Sequence, residues 1–407
     1  MKVLVLSQHY WPESFRITEV VECLRRAGCS VTVLTGQPNY PGGEVFDGYR
    51  AGSLGSERHP TGYTIHRVPL SPRGNGTALR LVVNYVSFLL SATLLGPWAL
   101  RHESFDVIFV YGTSPILQAI PAILLKRIKR AALVTWVQDL WPQSLEVTGF
   151  VRNRRLLDAV AQVVSWIYRR NDLLLVQSRA FVPTVQAMSG STTVEYHPNP
   201  SELSLSIPVR SDEVPALVLE DGFNVVFAGN LGTVQALDTL LSAAERLRAY
   251  RDIRLVLIGS GSRSEWCHQE VVRRGLQNVR LPGRFEPADM PAILAQASAL
   301  LVSLVHSPIM SQTVPSKIQA YLATGRPVVA SMDGEGAEIV KLAGAGIACP
   351  AEDVEALAEA ILSLRNMSPE ARLKMGESGH RYFQQHFDPE VLAARLVERL
   401  KKLISAG

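Results

Sequence analysis

Asn224-Val225-Val226-Phe227-Ala228-Gly229-Asn230-Leu231-Gly232 reads as a buried strand ending in a glycine turn, and a helix around Ala236–Leu247 comes after it. Glycines at a strand end let a phosphate approach the backbone, and the next helix start offers unpaired N–H groups and the positive end of a dipole. An ordinary tight βα turn has the same spelling, so the stretch gains meaning only from the motifs downstream of it. Leu257-Ile258-Gly259-Ser260-Gly261-Ser262 repeats the strand-to-glycine pattern, and Asn278-Val279-Arg280-Leu281-Pro282-Gly283-Arg284-Phe285 comes next. Thr313-Val314-Pro315-Ser316-Lys317 then opens a helix running through Leu322, with Pro in the first turn followed by a hydroxyl and an ammonium. Gly325-Arg326-Pro327 leads into another strand. Their order, at the C-terminal ends of consecutive strands, is what a ligand site of a doubly wound sheet requires.

The same alternation fills the rest of the 407 residues. Apolar runs at Val3–Ser7, Val31–Thr35, Asp106–Tyr111, Leu133–Gln138, Leu173–Ser178 and Thr192–His197 precede the opening stretch; Arg254–Ile258, Val279–Leu281, Ala299–Leu304 and Pro327–Ser331 lie after it. Nearly continuous apolar strands between helices predict parallel sheets covered on both faces. The polar stretch Pro198–Pro215 reads as a linker, giving an α/β chain of two Rossmann-like domains, residues 1–200 and 201–388. A last helix in 389–407 is free to return to either domain.

Composition excludes several classes. Four cysteines (Cys23, Cys29, Cys267, Cys349) show no CxxC spacing and read as buried thiols of a reducing compartment. No signal peptide is read at Met1–Leu6. The first strand runs into His9-Tyr10-Trp11-Pro12-Glu13, an aromatic loop without a GxGxxG fingerprint, which disfavours a nicotinamide or flavin enzyme. Walker, HExxH, GxSxG and DxD patterns are absent, and His59, His66, His102, His306 and His386 form no ligand-spaced cluster, so no metal site is expected. Residues 1–200 carry 20 Lys/Arg against 13 Asp/Glu, or +7, while 201–407 carry 21 against 24, or −3. A basic half suits a membrane surface or a phosphorylated ligand; nucleic acid is not expected, since basic and aromatic residues do not interleave. The apolar stretch Leu81–Leu100 leaves three readings open: a membrane span, a buried core helix, or a helix lying on a membrane. A Gly96-Pro97 break near its end argues against a span. Basic clusters Lys126–Arg130 and Arg152–Arg155 read as solvated helix ends or contacts for anionic headgroups.

With these motifs in view, the chain resembles the retaining glycosyltransferases of the GT-B fold, in the large group numbered family four. His197-Pro198-Asn199, Gly229, Gly259/Gly261, Gly283 and Gly325-x-Pro327 carry the resemblance, which extends over nearly the whole chain. Trp11-Pro12-Glu13-Ser14-Phe15-Arg16, Gly36-Gln37-Pro38-Asn39-Tyr40-Pro41-Gly42 and Gln138-Asp139-Leu140-Trp141-Pro142 resemble the colanic-acid and O-antigen branch, whose members are thought to transfer fucosamine-type sugars. The resemblance implies two domains facing across a cleft, with a UDP-sugar donor on the second domain and a lipid-linked saccharide acceptor on the first. It also implies metal-independent transfer in surface polysaccharide synthesis, at the inner face of the cytoplasmic membrane, with no cofactor and peripheral membrane contact through the basic first domain.

On that reading the donor residues are Gly229, Asn230, Gly232, Gln235, Gly259, Gly261, Arg284, Phe285, Val314, Pro315, Ser316, Lys317 and Gln319. Lys317 is the main charge stabiliser. Asp139, at a strand end, either orients or deprotonates the acceptor hydroxyl or caps a helix. His9 is a second catalytic candidate. Tyr10, Trp11, Arg16, Asn39 and Tyr40 are candidates for the acceptor side, and an aromatic loop brace explains them equally well. Two departures from the family pattern stand out. Uncharged Asn230 and Gln235 take positions often held by Arg and Lys, and Gln312 and Ala320 replace two glutamates, leaving the donor ribose to another group such as Gln319. An epimerase or hydrolase on the same fold, or a catalytically weak sugar-nucleotide or lipid-binding partner, are the competing functions.

Overall fold

The computed structural model describes residues 1–147, 153–201 and 216–406. The chain divides into two compact units, Met1–Pro198 with Leu392–Gly407, and Asn199–Val391. Most of the expected linker, residues 202–215, and Arg152 of the basic cluster lie outside the described residues.

The first unit holds β1 (Lys2–Leu6), β2 (Ser30–Thr35), β3 (Gly55–Arg58), β4 (Thr64–Arg67), β5 (Val107–Gly112), β6 (Ala132–Val137), β7 (Leu173–Val176) and β8 (Thr193–Tyr196), in the order β3-β4-β2-β1-β5-β6-β7-β8. All neighbours are parallel except β3 and β4. That antiparallel edge pair escapes the sequence reading because Gly55–Arg58 is largely exposed and carries no apolar run. Alternation in β1 shows why the sheet needs two covers: Leu4 and Leu6 join one apolar cluster, while Val3 and Val5 join another. Leu396, Val397 and Leu400 of the last helix, Pro389–Ala406, complete the second cluster. Each such burial contributes about 1.5–3 kcal/mol. Arg399 fastens the same helix to the strand edge, with Nη1 3.3 Å from His197 Nδ1 and Nε 3.0 Å from Glu195. His197 is buried beside Arg395 and Arg399, and its pKa falls to about 3, so the ring is neutral and Nδ1 accepts.

The second unit holds β9 (Phe223–Ala228), β10 (Ile253–Ile258), β11 (Val279–Gly283), β12 (Ala299–Ser303), β13 (Val328–Ser331) and β14 (Gly346–Cys349), all parallel, in the order β11-β10-β9-β12-β13-β14. Strand order reverses at β1/β5 in one sheet and at β9/β12 in the other. Ligands of open α/β sheets bind outside the strand ends at such points.

The long apolar stretch forms one helix, Ala78–Ala99, that continues through Gly96-Pro97 instead of breaking there. Pro97 sits two residues from the end, where few helical bonds remain to be lost. Leu81, Asn84, Phe88, Ala92 and Gly96, at steps of three and then four residues, are the buried side. Asn84 accepts from Gln8 Nε2 at 2.7 Å and donates to Ser71 O at 2.6 Å, which ties the helix into the first unit. Its other side is exposed and still apolar, with Leu79 at 74%, Leu94 at 73% and Trp98 at 57%. One narrow side of the helix is therefore core and the rest is not, a division that an almost uniformly apolar sequence does not reveal.

Candidate functional site

At the β9/β12 point the second unit builds a small cationic cradle. Gly229 leaves β9 at φ +138°, and a Cβ there would lie 2.6 Å from Lys317 Cε. Gly259 leaves β10 at φ +134°, and its Cβ would fall 1.9 Å from Gly229 O. Only glycine meets both demands, so the two turns stack directly. The Asn230 side chain lies between Gly232 and Gly261, filling the space a Cβ on either would need. Tyr321 braces β9 from the helix Ser316–Thr324: its hydroxyl accepts from Ala228 N at 2.8 Å and lies 3.2 Å from Ala228 O.

Lys317 stands one turn before Tyr321 on the same helix. Its Nζ is 3.5 Å from the centroid of the Phe227 ring and donates to Gln235 Oε1 at 2.8 Å. It pairs with no carboxylate among the described residues, and burial alone lowers its pKa to about 7. A half-buried ammonium with only a π face and an amide oxygen lacks the counter-charge that desolvated cations ordinarily have. Gln235, at a position often cationic in the related family, is thus Lys317's neutral partner. Ser316 is exposed at the first turn, and no side chain caps that helix start. The site can therefore receive a compact polyanion.

Other expected donor residues are placed differently. Arg284 is exposed after β11, and Phe285 packs partly against the core. Val314 is a core residue. Gln319 is buried, and with its amide nitrogen toward the helix start it donates to the Pro315 and Ser316 carbonyls at 3.0 Å each. It positions the helix start and is not available to a ribose. Among the described residues, no group of three His, Cys, Asp or Glu side chains could hold a metal.

In the first unit, the loop after β1 folds around Glu13. This buried carboxylate accepts from Asn39 N and Tyr40 N at 2.7 Å each and from Tyr10 N at 3.0 Å, and His9 Nδ1 lies 3.2 Å from both its oxygens. His9 is buried too, stacked on Phe15 at 5.2 Å. Tyr10 and Asn39 correct the expectation of acceptor contacts. Tyr10 is fully buried, with its hydroxyl 2.6 Å from that of Tyr63. Asn39, also fully buried, donates to Gln37 O and accepts from Arg73 N. Trp11 is half-buried, with its ring edge-on to His59. Tyr40 is at the surface, under the Arg73 guanidinium.

Asp139, after β6, accepts from both Ser114 N and Ser114 Oγ at 2.9 Å, and Trp141 Nε1 donates to the same hydroxyl at 2.9 Å. It caps the loop after β5 and not a following helix. Arg16, at the start of the helix Ile17–Arg26, has a buried Nε without a partner. Burial pushes the Tyr111 phenol up to about 12; Arg16 opposes that rise and Asp139 adds to it, which puts a cation and an anion around one phenol. Glu13, Phe227, Ser114 and Tyr321 are the residues that sequence reasoning missed. Tyr321 alone had a readable signal, its position four residues after Lys317.

Residues 14–200 match the family described as Glycosyl transferase 4-like domain, and residues 222–366 match Glycosyl transferases group 1. With the two parallel sheets, these matches make the chain a GT-B glycosyltransferase. It is similar to the Escherichia coli K12 protein WcaI, named as a colanic acid biosynthesis glycosyl transferase, at 26% identity over 89% of this chain and 91% of that one. It is also similar to a GDP-mannose-dependent monoacylated alpha-(1-6)-phosphatidylinositol monomannoside mannosyltransferase of Corynebacterium glutamicum, at 27% identity over 53% of this chain and 58% of that one. Among solved structures, Anabaena HepE in complex with UDP aligns over 99% of this chain and 100% of its own, with TM-score 0.69 and 15% identity.

Proposed function

We infer that this glycosyltransferase moves a sugar, with retention, from a UDP-sugar held by the second unit to a lipid-linked saccharide recognised by the first. The reaction belongs to surface polysaccharide assembly at the inner face of the cytoplasmic membrane. The observation that carries the reading is Lys317, a half-buried ammonium without a carboxylate partner among the described residues, beside two stacked glycine turns and an uncapped helix start. The sugar's bond to the UDP β-phosphate oxygen breaks as its new bond to the acceptor hydroxyl forms. The departing phosphate oxygen takes the acceptor proton. Negative charge developing on that oxygen meets Lys317 and the nearby amides, donors fixed before the reaction begins. No metal is assigned a role. Asp139, partly buried and aimed by Ser114, orients the acceptor hydroxyl. Arg16 supplies the cation for an acceptor phosphate.

Resemblance to the colanic-acid protein supports the polysaccharide role, and the UDP complex of the structural neighbour supports the donor. The GDP-mannose donor of the second relative supports a GDP-sugar as the other reading. The exposed apolar side of Ala78–Ala99, with Arg101 stacked over Trp98 at 4.1 Å, supports peripheral contact with a bilayer. The test is UDP release from UDP-sugars with and without a polyprenyl-diphosphate-linked saccharide. Release that depends on the acceptor is expected. Equal release without it would mean a hydrolase or epimerase, and none with any donor would mean a non-catalytic binding partner.

A further inference from the structure

Three polar side chains meet at the C-terminal edge of the first sheet with no partner to bond. Gln138 follows β6, and its backbone N–H still donates to Gly112 O at 3.0 Å, so it prolongs the ladder with β5. Side chains alternate along a strand, and Val134 and Trp136 belong to the apolar cluster that also holds Tyr111 of β5. Gln138 therefore continues the same face, next to Tyr111. Ile17, Val20, Val21 and Leu24 of the helix Ile17–Arg26 cover that cluster, which brings Arg16, at the helix start, to the same corner. Gln138 is 7% exposed and Tyr111 6%, and neither side chain makes a hydrogen bond among the described residues. Gln138 Nε2 and Arg16 Nε are buried without partners, and no carboxylate among the described residues pairs with Arg16. No side chain caps the helix that Arg16 starts.

Buried polar groups are ordinarily bonded, so three of them idle in one corner mark a place kept for a ligand. Their chemistry selects it. A guanidinium only donates, and the Tyr111 phenol, which burial pushes up to about 12, keeps its proton to donate. The Gln138 amide is held by no neighbour and is free to turn its NH2 group to a ligand. Donors with one fixed positive charge at an uncapped helix start suit an oxyanion, phosphate above all. A neutral sugar alone would need acceptors too. The acceptor in this corner is Asp139, next in the chain after Gln138, and it acts on the same phenol as Arg16 does. The anion site and the carboxylate read as orienting the acceptor hydroxyl therefore lie side by side. We propose that Arg16, Tyr111 and Gln138 hold the saccharide-proximal phosphate of the acceptor, and that this phosphate is attached to the same sugar whose hydroxyl meets Asp139. The proposal rests on the acceptor reading given under the proposed function. It extends the Arg16 contact to a three-residue site and limits the acceptor to one sugar on its diphosphate.

Inorganic diphosphate is the probe, titrated by calorimetry into the full chain with its donor cradle filled by saturating UDP, and into Lys317→Ala without UDP. One site should remain in both, with the same affinity. Arg16→Gln should weaken it at least tenfold, and Gln138→Leu and Tyr111→Phe at least threefold each. Because neither Gln138 nor Tyr111 has a partner to lose, those two substitutions should not lower the melting temperature. Lower melting with unchanged diphosphate binding would make them packing residues and overturn the proposal. A site present in Lys317→Ala but lost when UDP is added would belong to the donor's phosphates and overturn it as well. Unchanged binding in Arg16→Gln, or no diphosphate binding beyond the cradle, would overturn it outright. In transfer assays a polyprenyl-diphosphate-linked monosaccharide should exceed the corresponding disaccharide at least tenfold in kcat/KM; equal use would overturn the one-sugar limit. Transfer undiminished in Arg16→Gln would remove this site and leave the proposed reaction standing. No transfer to either acceptor, in a wild type that binds diphosphate outside the cradle, would remove the proposed function and the acceptor role of this site with it.

Discussion

Both units bring loops to the C-terminal edge of a parallel sheet at the point where strand order reverses, yet they treat backbone amides in opposite ways. In the first unit three separate demands for an acceptor, Tyr10 N, Asn39 N and Tyr40 N, are met by one buried carboxylate, Glu13. In the second, Gly229 and Gly259 bring two turns together and a lysine stands over them without any carboxylate. One edge answers these three amides with a carboxylate of its own. The other has a lysine with no carboxylate partner among the described residues, which suits it to the polyanion of the proposed donor. On the proposed reading the first is a scaffold that places side chains such as Asp139, and the second is the binding surface.

The contrast is sharpest at Lys317. Lys317→Ala should lower turnover at least ~100-fold, the scale of one strong transition-state donor. A loss under threefold in steady-state rate would erase the distinction between the two edges. Glu13→Gln should destabilise the first unit by about 1–3 kcal/mol, because an amide cannot accept from all three N–H groups and still face His9. Thermal unfolding reads this, and UDP affinity, a property of the other edge, should not move. Gly259→Ala should cost at least ~1 kcal/mol, since its Cβ would meet Gly229 O, and should weaken UDP binding as the turns separate.

A pH series separates the edges further. In the free protein Lys317 loses its proton near pH 7, whereas a bound diphosphate favours the ammonium. Binding above pH 7 therefore takes up part of a proton, and UDP affinity should fall as pH rises from 7 to 9, by at most tenfold per unit. Calorimetry at pH 8 in two buffers of different ionisation enthalpy reads the uptake directly. Lys317→Arg should abolish it. The smallest expected effect is that of EDTA, which should leave turnover within twofold; complete loss restored by magnesium would move the diphosphate charge from Lys317 to a metal.

The two edges also differ in how far sequence alone reveals them. Strand, glycine turn and helix start are local features, so Gly229, Gly259 and Lys317 can be read in order along the chain. Core strands such as Val3–Ser7 and Asn224–Ala228 are equally local and coincide with β1 and β9 to within a residue or two. What the first unit does with its loops depends on pairs distant in sequence. Glu13 reaches Asn39, Asp139 reaches Ser114, and Asn84 reaches Gln8 and Ser71. No spacing rule announces such pairs, so Tyr10 and Asn39 look like ligands although they are structural. Gln319 misleads for a related reason: a polar side chain on a helix start is as useful to the helix's own carbonyls as to a ribose.

Calorimetric titration of UDP, GDP and ADP into wild type and Lys317→Ala, with and without magnesium, tests the central claim most directly. Selective UDP binding that is independent of magnesium and weakened at least tenfold by Lys317→Ala is the result expected of the cradle. Binding that requires magnesium and ignores Lys317, or no binding of any nucleotide, would contradict it.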